Sequence, residues 1–264
     1  MQSTELKQAK RIVFKVGTST LTYENGKVNI LRVEKLARVL CDLRNSGKDI
    51  ILVSSGAIAV GVAKMGESER PKALPHKQAM AAIGQSELMY LYDKLFSEYN
   101  NTVAQVLLTM DVMGHALRKQ NAQNTFETLL ERGVIPVVNE NDTVSTEEVE
   151  FGDNDTLSAL VAELISADLL VILSDIDGLY DKDPKTNSDA KLIHVVEQIG
   201  PEIRECAGGA GSRRGTGGMI TKLHAGDIAT QAGIDMVILN GENPYDIYKM
   251  LDGEPVGTLF LGQK

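Results

Sequence analysis

Lys15 ends an otherwise apolar run, RIVFKV at 11–16, and Gly17, Thr18 and Ser19 follow at once. A lysine inside such a strand is costly unless its ammonium meets a partner. The glycine and two hydroxyls allow close backbone approach and hydrogen bonds to an anion. The plainer alternative is a lysine whose stem packs while its tip reaches solvent. A second lysine, Lys222, closes GTGGMITK at 215–222. There Thr216, Gly217, Gly218, Met219, Ile220 and Thr221 lead from a glycine-rich stretch into a helical pattern. The run matches neither GxxxxGK[ST] nor GxGxxG. Its physical content is still that of a phosphate cradle: glycine amides, a helix N-terminus and a lysine one turn inside. An ordinary surface loop is the alternative.

Further polar residues collect where apolar runs end. Ser54-Ser55-Gly56-Ala57 follows DIILV and opens an Ala-rich helical stretch. Amides at such a start, with Gly56 allowing close approach, suit a carboxylate or phosphate; a plain serine N-cap is the alternative. Asn139-Glu140-Asn141-Asp142 follows the fourth apolar run, at 134–138, and Gly152-Asp153-Asn154-Asp155-Thr156 opens a helix soon after. Clustered carboxylates and amides bind an ammonium or position a magnesium–phosphate complex, or else simply form caps and turns. Ser174-Asp175-Ile176-Asp177-Gly178 has the look of a calcium loop without its terminal Glu, and reads better as a turn over a nucleotide. Ser55 is a poor nucleophile candidate: there is no GxSxG elbow, and no histidine is placed beside it.

Two lysines, strand-end carboxylates and two glycine-containing cradles point to phosphoryl transfer from a nucleotide. That chemistry asks a protein for positioning and charge stabilisation. Unit charges about 4 Å apart interact by roughly 4 kcal/mol at an effective dielectric near 20. Two such contacts that strengthen in the transition state give several orders of magnitude in rate. No base is needed if the attacking oxygen is already a carboxylate anion.

The elements that must position these residues alternate short apolar runs with amphipathic stretches. Strands are expected at 11–16, 49–53, 103–108, 134–138, 169–173, 236–239 and 258–261, and helices at 31–45, 78–99, 122–132, 156–166, 218–231 and 244–251. Residues 140–153 read as a loop or hairpin and 207–218 as a glycine-rich loop. The pattern implies an α/β fold, an αβα sandwich with a central, mostly parallel sheet, read as one domain over nearly the whole chain. Ligands in such sheets bind beyond the carboxyl ends of the strands. The 264 residues carry 27 − 36 = −9 formal charges, against the basic footprint that nucleic-acid binding requires. Cys41 and Cys206 form no CxxC pair, no leader peptide is evident and no run approaches a membrane span. A reducing cytoplasm is the expected location.

Together the motifs VFKVGTS at 13–19, VSSGAIAVG at 53–61, VNENDTV at 138–144, FGDNDTLSAL at 151–160, LSDIDGLYDKDP at 173–184 and GTGGMITK at 215–222 make a specific set. The chain resembles the amino-acid kinase family from about residue 11 to 262, and within it the branch that phosphorylates glutamate. The resemblance implies ATP with magnesium, the metal carried by the nucleotide, and L-glutamate as acceptor. Lys15, Lys222 and Asp155 are then the catalytic group, with Asp155 orienting the two lysines. Ser55, Gly56, Asp142 and Asn154 are the glutamate-binding residues. Lys15, Ser174, Asp175 and the stretch Thr216, Gly217, Gly218, Met219, Ile220, Thr221 and Lys222 are the nucleotide contacts. The part up to about residue 165 would bind glutamate and the part from about 166 would bind ATP. Free glutamate carries an α-ammonium that Asp142 would match. The resemblance further implies inhibition by proline, a homodimer or homotetramer, and possible transfer of product to glutamyl phosphate reductase. Many relatives continue into a PUA domain, which this chain, ending at Lys264, is expected to lack. The rivals are another small-molecule kinase on the same fold and a non-catalytic nucleotide sensor; a dehydrogenase lacks its fingerprint.

Overall fold

The structure is a computed structural model that describes residues 3–144, 154–207 and 218–263. It opens with helix α1 (Ser3–Gln8) and strand β1 (Arg11–Val16). Next come α2 (Thr18–Leu21), α3 (Ile30–Asn45), β2 (Asp49–Ser54), α4 (Ala57–Met65) and α5 (Leu74–Ser97). They are followed by β3 (Val103–Leu108), α6 (Met110–Gly114), α7 (Ala116–Glu131) and β4 (Ile135–Glu140). The last part holds α8 (Asn154–Leu164), β5 (Leu169–Ser174), β6 (Val195–Val196), α9 (Pro201–Ala207), α10 (Met219–Gln231), β7 (Asp235–Asn240), α11 (Asp246–Leu251) and β8 (Thr258–Phe260).

The chain divides into two compact units, residues 16–151 and residues 1–15 with 152–264. In the first unit the strand order is β3-β4-β2, parallel throughout, with Leu52 opposite Val137 and Val103 opposite Ile135. In the second it is β1-β5-β7-β8-β6. There β5 and β7 run parallel in register from Leu169–Asp235 to Ser174–Asn240, and β7 and β8 run antiparallel. The near-continuous apolar runs follow from burial on both faces: every residue of β5 is buried, as are Ile50 to Ser54 of β2.

The expected strands and the larger helices are present, with ends shifted by a few residues. Helix α7 begins at Ala116 rather than near 122, because its first turns are polar and only Phe126 and Leu130 are buried. The short elements α1, α2, α6, β6 and α9 carry too few residues for a periodic signal. Most of the expected loop at 207–218 and most of the polar segment between β4 and α8 lie outside the described residues.

Helices α4 and α5 cross very closely. A Cβ on Gly84 would lie 1.8 Å from the Ala57 carbonyl oxygen, and one on Gly61 would lie 2.0 Å from that of Met80. Only glycine permits backbones to approach like this.

Candidate active site

The charged centre of the second unit is Asp155, fully buried in the first turn of α8. A carboxylate there is favoured by the positive end of the helix. Its Oδ1 pairs with Lys15 Nζ at 2.5 Å, and its Oδ2 accepts from Lys222 Nζ at 3.1 Å. Lys15 is 6% and Lys222 4% exposed. The Lys15 tip therefore meets a partner and does not reach for solvent. Lys222 stands in the first turn of α10, the wrong end of a helix for a cation, so its placement leans on Asp155. The Thr221 hydroxyl lies 3.2 Å from Asp155 Oδ2 and 2.7 Å from Gly218 O. Ser158 Oγ donates to the Asp155 carbonyl at 2.6 Å, tying the turn. Burial is the largest influence on the Asp155 carboxyl and pushes its pKa up. The charges of Lys15 and Lys222 and their hydrogen bonds together outweigh burial and hold it below the usual carboxylate value.

The formal charges of Lys15, Asp155 and Lys222 sum to +1, a setting that fits an anionic phosphate. The amides at the start of α10, next to N-cap Gly218, reinforce that sign. Met219 is half-buried here and Ile220 exposed. Thr216 and Gly217, expected at the nucleotide, lie outside the described residues.

Ser174 and Asn240 end β5 and β7 side by side, and the Gly241 amide donates to Ser174 O at 2.7 Å. Ser174 is buried, Asp175 is exposed, and the Ser174 hydroxyl donates to Asp175 Oδ1 at 3.2 Å. Asp177 accepts from Asn240 Nδ2 at 2.7 Å and from the Tyr180 hydroxyl at 2.9 Å. Those bonds shape the turn after β5. Among the described residues no three His, Cys, Asp or Glu side chains form a metal-binding group.

In the first unit, β2 ends at Ser54, and Ser55 and Gly56 make the turn into α4. The Ser55 amide donates to Val16 O at 3.0 Å. Gly56, at φ 98°, is the N-cap, and no side chain caps the helix, so the serine N-cap alternative is not what forms. The helical ladder starts with the Val60 amide bonding to Gly56 O at 2.9 Å. The amides before it lie outside the ladder, at the helix's positive end. Asp142 is half-buried in the turn after β4, and buried Asn139 donates from Nδ2 to Gln85 Oε1 at 3.0 Å. Asn154, the remaining expected glutamate contact, is the half-buried first residue of α8, beside Asp155 in the second unit.

Sequence reasoning passed over Tyr92, Gln85 and Gly84 of α5, which touch the ends of β2, β4 and the start of α4. Nothing marks them in advance: in a long helix they read as core or surface. Thr221, expected at the nucleotide, has Asp155 within reach of its hydroxyl.

A mostly parallel sheet with helices, and two buried lysines that share Asp155, suit a protein that binds an anionic phosphate. Residues 10–240 match the amino acid kinase family, and the chain belongs to that family, as an enzyme of the kinase class. Among curated proteins it is 58% identical to the glutamate 5-kinase of Clostridium perfringens (strain 13 / Type A), over 98% of this chain and 98% of that protein. It is 55% identical to the glutamate 5-kinase of Listeria innocua serovar 6a, over 98% of this chain and 95% of that one. Among solved structures it is similar in fold to a carbamate kinase from Giardia lamblia bound to AMP-PNP. That match has a TM-score of 0.67 at 17% identity over 97% of this chain and 100% of that one. A UMP kinase from Ureaplasma parvum also has a TM-score of 0.67, at 14% identity over 96% and 99% of the two chains. No described helix is long and apolar enough to cross a membrane.

Proposed function

We propose that the protein transfers the γ-phosphoryl group of ATP to the side-chain carboxylate of L-glutamate, giving L-glutamyl 5-phosphate and ADP. The observation that carries this reading is the buried Lys15–Asp155–Lys222 cluster, supported by high identity to proteins named glutamate 5-kinase. In the reaction the carboxylate oxygen forms the new P–O bond as the bond to the ADP oxygen breaks. Lys15 and Lys222 offset charge on the phosphoryl and bridging oxygens. Asp155 holds both ammoniums at fixed positions, so little reorganisation is needed as charge develops. The acceptor enters as an anion, so no general base is required.

Ser55 and Gly56 take a carboxylate of glutamate, Asp142 pairs with its α-ammonium, and Asn154 adds a hydrogen bond. Ser174, Asp175 and residues 216–222 hold the nucleotide. Magnesium would arrive on the phosphates and add positive charge there; excess chelator should abolish turnover. The product is an acyl phosphate, and the reaction is the opening step of proline biosynthesis, with proline as inhibitor at or overlapping the glutamate subsite. The protein works in the cytoplasm as a homodimer or homotetramer, and delivers its labile product to glutamyl phosphate reductase. The deciding experiment is ADP release with magnesium and ATP against L-glutamate, L-aspartate, N-acetyl-L-glutamate, carbamate and uridylate. Turnover with glutamate alone is expected. Turnover with another acceptor would discard the substrate, and silence across the panel with ATP still bound would discard the activity.

A further inference from the structure

Buried Tyr92 on α5 places its Oη 2.8 Å from the buried Ser54 Oγ. Ser54 Oγ in turn donates to the Ser55 carbonyl at 3.1 Å. A carbonyl oxygen only accepts. With the serine proton directed there, the phenol supplies the proton of the 2.8 Å bond. The three groups thus form a directed chain, Tyr92 O–H to Ser54 O–H to Ser55 C=O. Burial pushes the Tyr92 pKa well above that of an ordinary phenol, so its hydroxyl stays protonated.

The chain ends on a peptide that needs such a restraint. The plane between Ser55 and Gly56 is set partly by φ of Gly56, which is 98°. Glycine visits both signs of φ readily, so sterics alone do not select one orientation of the Ser55 carbonyl. Two turns earlier on α5, Gly84 packs against the Ala57 carbonyl and Gln85 accepts from Asn139 at 3.0 Å. The spacing of Gly84, Gln85 and Tyr92 puts all three toward one side of the helix.

We infer that Tyr92, acting through Ser54, is a positioning residue that fixes the Ser55–Gly56 turn for the acceptor carboxylate. The inference rests on the reading of Ser55 and Gly56 as glutamate contacts. The alternative is a hydroxyl that merely satisfies a buried phenol. Thermal midpoints and steady-state kinetics of the full chain separate the two. Wild type, Tyr92→Phe, Ser54→Ala, the double variant and Ser55→Ala would be compared with magnesium, ATP and L-glutamate. Loss of one or two neutral hydrogen bonds should raise KM for glutamate about three- to tenfold in Tyr92→Phe and in Ser54→Ala. The double variant should add little to either, and KM for ATP should stay within about twofold of wild type. A purely structural hydroxyl would lower the thermal midpoint and leave KM for glutamate within about twofold, which overturns the inference. If Tyr92→Phe does not fold, Ser54→Ala decides by the same criterion. Wild type silent with glutamate, or Ser55→Ala with unchanged KM, overturns the reading of the site and this inference with it. An active wild type with KM raised in Ser55→Ala but not in Tyr92→Phe overturns this inference alone.

Discussion

Asp155 joins two demands in one carboxylate: it makes two buried ammoniums tolerable and it aims them. Removing one member of a buried ion pair costs about 3–5 kcal/mol, because the charge left behind has no counter-ion. Asp155→Asn should therefore lose stability as well as kcat. The pH dependence has a definite sign. The folded-state pKa of Asp155 is depressed, so its contribution is complete above the unfolded carboxylate value of about 4. It is lost as pH falls through the lower folded value. Acid unfolding followed by circular dichroism should show a stability loss below about pH 4 in wild type that is reduced in Asp155→Asn; equal acid slopes would refute the assignment. The lysines and the acceptor site separate kinetically. Lys222→Ala should lower kcat by about 10²- to 10³-fold with a smaller effect on KM for glutamate, since its contact strengthens in the transition state. Asp142→Ala should raise KM for glutamate about 10- to 100-fold by leaving the substrate ammonium unpaired. Exchanged patterns would reverse the roles. Lys15 could be singled out in the sequence because a charge in an apolar strand asks for an explanation, and Lys222 because a lysine one turn inside a helix after a glycine-rich stretch suits a phosphate cradle. Their shared partner could be named only by resemblance, since Asp155 is 140 and 67 positions away from them in the chain and no local pattern spans that distance.

Helix α5 braces the ends of β2 and β4 and the start of α4, and that part is hard to read from sequence. Its length and periodicity were legible. The contacts that matter were not, because Gly84, Gln85 and Tyr92 act through atoms contributed by α4, β2 and β4. Gly61 and Gly84 lie inside helices, where a glycine normally carries a small penalty. Here they set the distance at which α5 can lie against the first turn of α4. A methyl at Gly84 would fall 1.8 Å from Ala57 O and 2.6 Å from Gly61 N, backbone atoms that have no rotamer to change. Gly84→Ala should cost about 1–3 kcal/mol or more through overpacking, despite alanine's better helix propensity. It should also raise KM for glutamate by moving Ser55 and Gly56. Ala82→Ser, on the exposed face of the same helix, should stay within about 0.5 kcal/mol of wild type. Differential scanning calorimetry of the two variants is the check, and a Gly84→Ala midpoint at or above that of wild type would contradict the close crossing.

At the scale of the whole molecule, the second unit is discontinuous: its strand β1 comes from residues 11–15, while its other strands begin at Leu169. Local periodicity announced β1 as a buried strand but held no sign that it pairs with β5, the fifth strand in the chain. The excursion of residues 16–151 between them is a matter of long-range pairing, and a window-by-window reading does not reach it. The energetic consequence is large. Ile12, Val13 and Phe14 of β1 are fully buried, and burying such side chains is worth about 1.5–3 kcal/mol each. Asp168 Oδ2 accepts from the Lys10 and Arg11 amides at 2.7 and 2.8 Å, and the Asp168 amide donates to Arg11 O at 2.9 Å. Their sum is comparable to the whole net stability of a domain, about 5–15 kcal/mol. A fragment of residues 152–264 should therefore lack a cooperative thermal transition. Appending residues 1–15 to its C-terminus through a flexible Gly/Ser linker of about 20 residues should restore one. That fragment also regains Lys15, so a Lys15→Met version of it tests whether the strand or the ion pair restores the fold. Cooperative melting of both versions assigns the effect to apolar pairing of β1 with β5, whereas melting of the lysine version alone assigns it to the buried charge cluster. A cooperative transition in the bare 152–264 fragment would show that β1 is dispensable to the unit.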